Sequence, residues 1–316
     1  MLVVDGPEAP LVIKPYIKNL SRSELMAVMT GGMATIAGGV LASYVAFLGE
    51  RYAAIANVPV EVGQQLFAEQ LLGASVMAAP AALVLAKILI PETTRPSLAA
   101  GGVASEDVEA ATPLPVTDAG EATQPATDSQ EATAAAAEDL ADPGPKNVID
   151  AAATGAADGL QLALNIGAML IAFLALIAIL NGILGWGAGL FGFETSLEAI
   201  LGVILAPVAW AVGVPTADIT AFGSLIGTKV IANEFVAYTQ LADALAAGSL
   251  QPKTIVMATF ALCGFANLSS IGIQIGGIGP LAPERTGEIA ALGLRAVLGG
   301  TLANLMTATI AGVLLG

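Results

Sequence analysis

Long apolar runs separated by short polar connections organise this chain. Residues 25–49, 159–193, 199–217, 254–283 and 296–316 contain no Asp, Glu, Lys or Arg. A helix needs about 20 apolar residues to cross a hydrocarbon core, so each run is long enough or nearly so. The pattern predicts a first span within residues 21–49, starting on Ser23 as N-cap and running to about Phe47. A polar, extracellular connection at 50–70 follows, then a second span at 71–91 ended by Pro91. An interfacial helix from Asn147 leads into a long span, so that 147–186 forms one scaffold piece. Residues 197–214 read as an apolar interfacial segment broken by Gly202, Pro207 and Gly213, and 215–250 as a more polar pair of short helices. The last two spans are 254–280 and 288–316. Residues 1–20, with Pro7, Pro10 and Pro15, are short and mixed. The fold class is an all-α polytopic membrane protein.

Composition sharpens this. The chain is 56% hydrophobic and 12% charged, with a mean hydropathy of +0.80, too little charge to keep the surface of a soluble domain of this size wet. The net charge of −15 is local: residues 92–150 carry 12 acidic and 2 basic residues, which accounts for −10 of it. Residues 92–146 are rich in Ala, Thr, Pro, Glu and Asp and contain no aromatic residue, so the segment reads as a disordered acidic loop. Its charge implies no nucleic-acid partner. The absence of His and the single Cys263 remove imidazole relays, an intramolecular disulfide and Cys-based zinc sites. An intramembrane enzyme would need a nucleophile–base pair or a metal cluster; the chain offers neither, and it is read as no enzyme.

Lys and Arg cluster in alternate connections. Lys14, Lys18, Arg22, Lys87, Arg95, Lys146, Arg285 and Arg295 fall on one side, leaving Arg51, Lys229 and Lys253 for the other. By the positive-inside rule the first set is cytoplasmic, which puts the loop 92–146 inside and the C-terminus outside.

An internal similarity points to function. Residues 8–16 (EAPLVIKPY) and 234–238 (EFVAY) each open with a carboxylate. Some 25 to 35 residues later each is followed by a Gly-interrupted span, TGGMATIAGGVL at 30–41 and LCGFANLSSIGI at 262–273. Aligning Gly32 with Gly264 sets Thr35 opposite Asn267 and Ala37 opposite Ser269. Two such units of opposite insertion, with re-entrant hairpins and discontinuous helices, form the inverted repeat of a secondary transporter. Interrupted backbone survives in lipid only where it lines a wet, protein-walled cavity; Gly31, Gly32, Gly38, Gly39 and Gly264 are expected to permit the interruptions. Small residues that simply let helices pack closely are the competing account.

Glu234, in the apolar context IANEFVAY, is the first candidate for substrate contact, because an intramembrane carboxylate is costly and its oxygens can accept bonds from neighbouring sugar hydroxyls. A structural ion pair with Lys229 is the alternative, and Asn233 beside it fits a cap at the hairpin tip. Asn267 and Ser270, three residues apart, read as sharing a helical face, and Phe265 as able to pack on a ring. Glu8 joins them through its match to Glu234.

GTKVIANEFVAY, FALCGFANLSSIGIQIGG, LAPERTGEIAALGLRAVLGGTLANLMTATIAG and ATIAGGV resemble concentrative nucleoside transporters, as do LLGASVMAAPAALVLAKILIPET and NVIDAAATGAADGLQLALNIGAMLIAF. The resemblance covers nearly the whole chain except 50–68 and 96–144. It implies a homotrimer in the cytoplasmic (inner) membrane, embedded in lipid, whose transport domain is built from two hairpins and two broken helices. It further implies cation-coupled nucleoside uptake by alternating access. Carried over by motif, Glu234, Asn267 and Ser270 would hold the ribose, Phe265 would line the site and Val40 would contact the base. In the first hairpin the family reads Gly-Gln-Thr-Glu-x-Pro-Leu; here the stretch is Asp5-Gly6-Pro7-Glu8-Ala9-Pro10-Leu11, which keeps the Glu and lacks the Gln and Thr. Thr35, with Ile36, matches the cation position. Sodium is the favoured ion, since a hydroxyl is a hard-oxygen ligand, with a proton as the alternative. The family pattern places three further spans and the first hairpin arm ahead of Met1, so the chain is read as N-terminally truncated, and a non-transporting remnant of the same fold is the alternative function.

Overall fold

A computed structural model describes residues 14–93, 178–193 and 195–314, with scattered positions between 147 and 176. The predicted first hairpin up to residue 13, Glu8 included, lies outside the described residues, as do residues 94–146 of the acidic loop and much of 150–174.

Among the described residues every regular element is helical. A single turn, α1 (Lys14–Ile17), precedes α2 (Arg22–Ala34). The cap of α2 is Ser21, not Ser23: the Glu24 N–H donates to Ser21 Oγ, and the Ser21 N–H donates to the Glu24 carboxylate at 2.8 Å. This reciprocal capping box satisfies two donors at once, which Ser23 could not do without a Glu or Gln three residues on. Ser23 instead lies within the first turn, where its Oγ donates to Ile90 O at 2.6 Å and accepts from Lys87 Nζ at 2.9 Å.

α2 stops at Ala34. Thr35 is extended (φ −101°, ψ 164°), and α3 (Gly38–Ala56) begins after Ala37. The interruption is thus Thr35–Ala37, none of it glycine and none at positive φ. Gly31 and Gly32 stay helical and Gly38 and Gly39 open α3, so the expected role of these glycines in the break is corrected. α3 also outruns the predicted limit near Phe47, ending only at Asn57, which adopts a left-handed conformation (φ 52°).

The polar connection expected at 50–70 is almost all helix, because α4 spans Val60–Leu89. Its polar residues averaged out the hydropathy of the segment, but Gly63, Phe67, Leu71, Ala74 and Ala78 recur at helical spacing and are buried. Gln65 donates to Glu69 at 2.9 Å on the exposed side. α3 and α4 cross at Gly49 and Gly63, where a Cβ added to Gly63 would collide with Gly49 O and one added to Gly49 would lie 2.6 Å from the Gln64 backbone.

In the second half, α5 (Leu197–Ala211) runs unbroken through Gly202 and Pro207, correcting the expected breaks, and ends before Gly213. A proline is tolerated in such helices because surrounding groups take up the freed carbonyl. α6 (Ile219–Ile231) and α7 (Glu234–Ala246) form a tight pair joined by Ala232 and Asn233. α8 (Pro252–Leu262) and α9 (Ser269–Ile278) form the second interrupted helix, and α10 (Thr286–Leu314) closes the fold. Helices α1 to α10 belong to one compact unit, Met1–Leu98 with Phe173–Gly316; residues 99–172 make up a second.

Three helical stretches among the described residues are long and apolar enough to cross a bilayer: Arg22–Ala56 (interrupted as above), Val60–Leu89 and Pro283–Leu314. The main core joins Tyr44 and Leu48 of α3, Phe67 and Leu71 of α4, Phe222 of α6, Tyr238 and Leu241 of α7, and Met257 and Phe260 of α8. Burying these aromatic and aliphatic faces sets α7 directly against α3, and that contact positions the site.

Candidate functional site

Glu234 is the first residue of α7 and is only 4% exposed. Asn233 caps the helix through its Oδ1, which accepts from the Val236 N–H at 2.9 Å. A carboxylate at this position also meets the positive end of the helix dipole. Two side chains from elsewhere in the sequence donate to it: Asn267 Nδ2 to Oε2 at 3.0 Å and Tyr44 Oη to Oε1 at 3.4 Å.

Asn267 comes from the second interruption, Cys263–Leu268, whose entry Gly264 makes possible with φ +151°. The interruption is held in place where the Leu268 N–H donates to Val230 O of α6 at 3.0 Å. The Asn267 Oδ1 accepts from the Ser270 N–H and Ser270 Oγ at 2.9 Å each, and from Ser269 Oγ at 2.7 Å. Asn267 and Ser270 therefore meet as cap and capped residue at the start of α9, rather than as neighbours on a continuous helical face. The capping geometry leaves the amide Nδ2 free to turn toward Glu234.

Glu234, Asn267 and Ser270 are thus brought together and buried. Val40 and Phe265 are half-buried and pack on the core around them. Thr35 and Ile36 lie in the first interruption, both buried; Thr35 Oγ donates to Gly31 O at 2.9 Å, which leaves its lone pairs available to a cation. Lys229 forms no ion pair with Glu234: among the described residues the ion pairs are Arg51–Asp243, Lys87–Glu92 and Arg285–Glu288.

Tyr44 escaped the sequence reading. It is fully buried, its ring 4.3 Å from that of Tyr238 and 5.8 Å from that of Phe235. The available signal was its place one turn after Val40, hence on the same side of α3. Removing its hydroxyl deletes one long hydrogen bond to Glu234, so Tyr44→Phe is expected to lower stability by about 0.5–1.5 kcal/mol, read as a lower melting temperature in detergent.

Long apolar helices, two of them interrupted, with a buried carboxylate where α3, α7 and the second interruption meet, define a polytopic α-helical membrane fold. Residues 70–312 match the family described as Na+ dependent nucleoside transporter C-terminus. The chain is 44% identical over 313 residues to the uncharacterized transporter YutK of Bacillus subtilis and 40% identical over 319 residues to the nucleoside permease NupC of Helicobacter pylori. It covers 99% and 100% of itself in these alignments, and 64% and 63% of the two relatives. The structure of CNTnw in an inward-facing substrate-bound state matches with TM-score 0.75 at 42% identity, over 99% of this chain and 62% of that one; a doubly substituted CNTnw in an outward-facing state matches with TM-score 0.78 at 42% identity, over 99% and 63%. The chain belongs to the concentrative nucleoside transporter family, and it spans less than two thirds of the length of these relatives.

Proposed function

We propose that this chain carries the nucleoside site of a cation-coupled uptake transporter of the cytoplasmic membrane. Glu234 accepts bonds from the ribose hydroxyls, Asn267 and Ser270 supply a donor and acceptors beside it, and Val40 and Phe265 flank the base. Glu8, from the first hairpin, completes the polar set. The carrying observation is Glu234 itself: a carboxylate 4% exposed, with no cationic side chain among the described residues within 4.0 Å, facing the donors Tyr44 and Asn267 where α3, α7 and the second interruption meet. Burying such a charge is expensive unless a ligand uses it.

Thr35 and Ile36 offer a hydroxyl and extended backbone carbonyls, oxygen ligands of the kind sodium takes; a proton is the alternative coupling ion. The two interrupted units enter from opposite faces, hairpins re-entrant, and alternating access moves the site between them, in line with the inward- and outward-facing states of CNTnw. The assembly is a homotrimer, with residues 92–146 cytoplasmic and the C-terminus outside.

Uptake of labelled uridine and adenosine into proteoliposomes, with sodium inside, outside or replaced by choline, tests this. Accumulation driven by inward sodium is expected. No uptake of either nucleoside under a sodium or a proton gradient would end the reading.

A further inference from the structure

Lys229 lies in the last turn of α6 and is fully buried, yet none of the functions above uses it. A buried ammonium needs strong compensation. Here the compensation is two hydrogen bonds, from Nζ to Ala261 O and to Asn304 Oδ1, both 2.8 Å. The carboxylate of the same hairpin, Glu234, is engaged by Tyr44 and Asn267 instead.

Asn304 belongs to α10 and is 1% exposed. With Oδ1 turned to the lysine, its Nδ2 donates in two directions: to Ala34 O at 2.8 Å and to Cys263 O at 2.6 Å. Ala34 is the last residue of α2, and Cys263 the first beyond α8. Carbonyls at such helix ends have lost their normal partners, and inside a membrane they must be repaired by something. One ammonium and one amide therefore serve carbonyls at both interruptions. Reversing the amide would aim its oxygen at two carbonyl oxygens and its nitrogen at the ammonium, so the lysine and the two carbonyls together fix which way Asn304 faces.

The two interruptions also touch directly. A Cβ on Gly264 would lie 2.6 Å from Ala34 O and 2.7 Å from Asn304 Oδ1. Three residues past Gly264 comes Asn267, the partner of Glu234, and Ala34 immediately precedes Thr35. A ligand that orders the backbone at Thr35 thus acts, through Ala34 O and Asn304, on the loop that carries Asn267.

We propose that Lys229 is a positioning residue: through Asn304 it couples the two interruptions, so that a cation at the first and a nucleoside at the second strengthen each other's binding. This rests on the nucleoside-transport reading above. Binding linkage of this kind is reciprocal, with factors of about 5 to 150.

The measurement is uridine affinity of the purified protein by isothermal titration, in sodium chloride and in choline chloride. For the unmodified protein, sodium is expected to tighten uridine binding by about tenfold or more. In Lys229→Met the ratio of the two affinities is expected to fall below about twofold while uridine still binds. Asn304→Asp, which keeps a partner for the lysine but loses both Nδ2 donors, is expected to do the same and serves if Lys229→Met is not monodisperse. A sodium effect retained in either variant overturns the proposal. So does loss of uridine binding in both salts, since the clasp would then build the nucleoside site rather than link it, and so does failure of both variants to fold. An unmodified protein that binds uridine equally in both salts overturns the coupling alone and leaves the nucleoside reading standing; one that binds no uridine in either salt removes the nucleoside reading itself.

Discussion

Glu234→Gln is expected to weaken uridine binding by about 100-fold or more while the protein stays folded. Bonds to an ionised acceptor contribute about 1.5–3 kcal/mol each, and a ribose presents two adjacent hydroxyls, so the loss is about 3 kcal/mol at the least, or about 100-fold in affinity. The amide keeps the shape of the side chain but not its chemistry. Its nitrogen would face either the Asn267 Nδ2 donor now 3.0 Å from Oε2 or the Tyr44 hydroxyl at Oε1. Asn267 cannot reverse to accommodate it without giving up the Ser270 N–H that its Oδ1 now caps. Titration with uridine and uptake in proteoliposomes both read the change. Unaltered uptake in the Gln variant would remove Glu234 from the site.

Gly264→Ala is the second large expected effect, this time on stability. The residue sits at φ +151°, a conformation side chains avoid, and the new methyl would lie 2.6 Å from Ala34 O and 2.7 Å from Asn304 Oδ1. Neither neighbour is the end of a flexible chain: one is backbone and the other is hydrogen-bonded to Lys229. Backbone strain of about 1–3 kcal/mol and a further 1–3 kcal/mol for overpacking make a total loss of about 3 kcal/mol expected, read as a lower melting temperature in detergent together with loss of uridine binding. An unchanged midpoint would mean that the two interruptions are not in contact.

The family and the fold class were legible because they are written in long patterns. Charge-free runs announce helices in a membrane, and NEFVAY and CGFANLSS carry the candidate side chains in short, distinctive motifs. The limits of the elements were harder to read, for identifiable reasons. Hydropathy averages hid the helical period of Gly63, Phe67 and Leu71 behind Glu61, Gln64, Gln65 and Glu69, so α4 starts well before its apolar half. Glycine was a poor guide to interruption: Gly264 marks one, whereas Gly31, Gly32, Gly38 and Gly39 flank a break made by Thr35, Ile36 and Ala37. Ser23 looked like a cap from its polarity, but the Glu at 24 selects Ser21. Long-range partners left the weakest trace. Nothing local in AFLGE, SYV or TLANL says that Tyr44 meets Glu234 across 190 positions, or Asn304 Ala34 across 270; those pairings exist only once the helices pack.

The Gly49–Gly63 crossing has a mechanical consequence. Backbone meets backbone there, so even a methyl group at either glycine would wedge α3 and α4 apart. Tyr44 rides on α3 little more than a turn from the junction. Such a wedge would reach the carboxylate through Tyr44, which donates to Glu234 from the same helix.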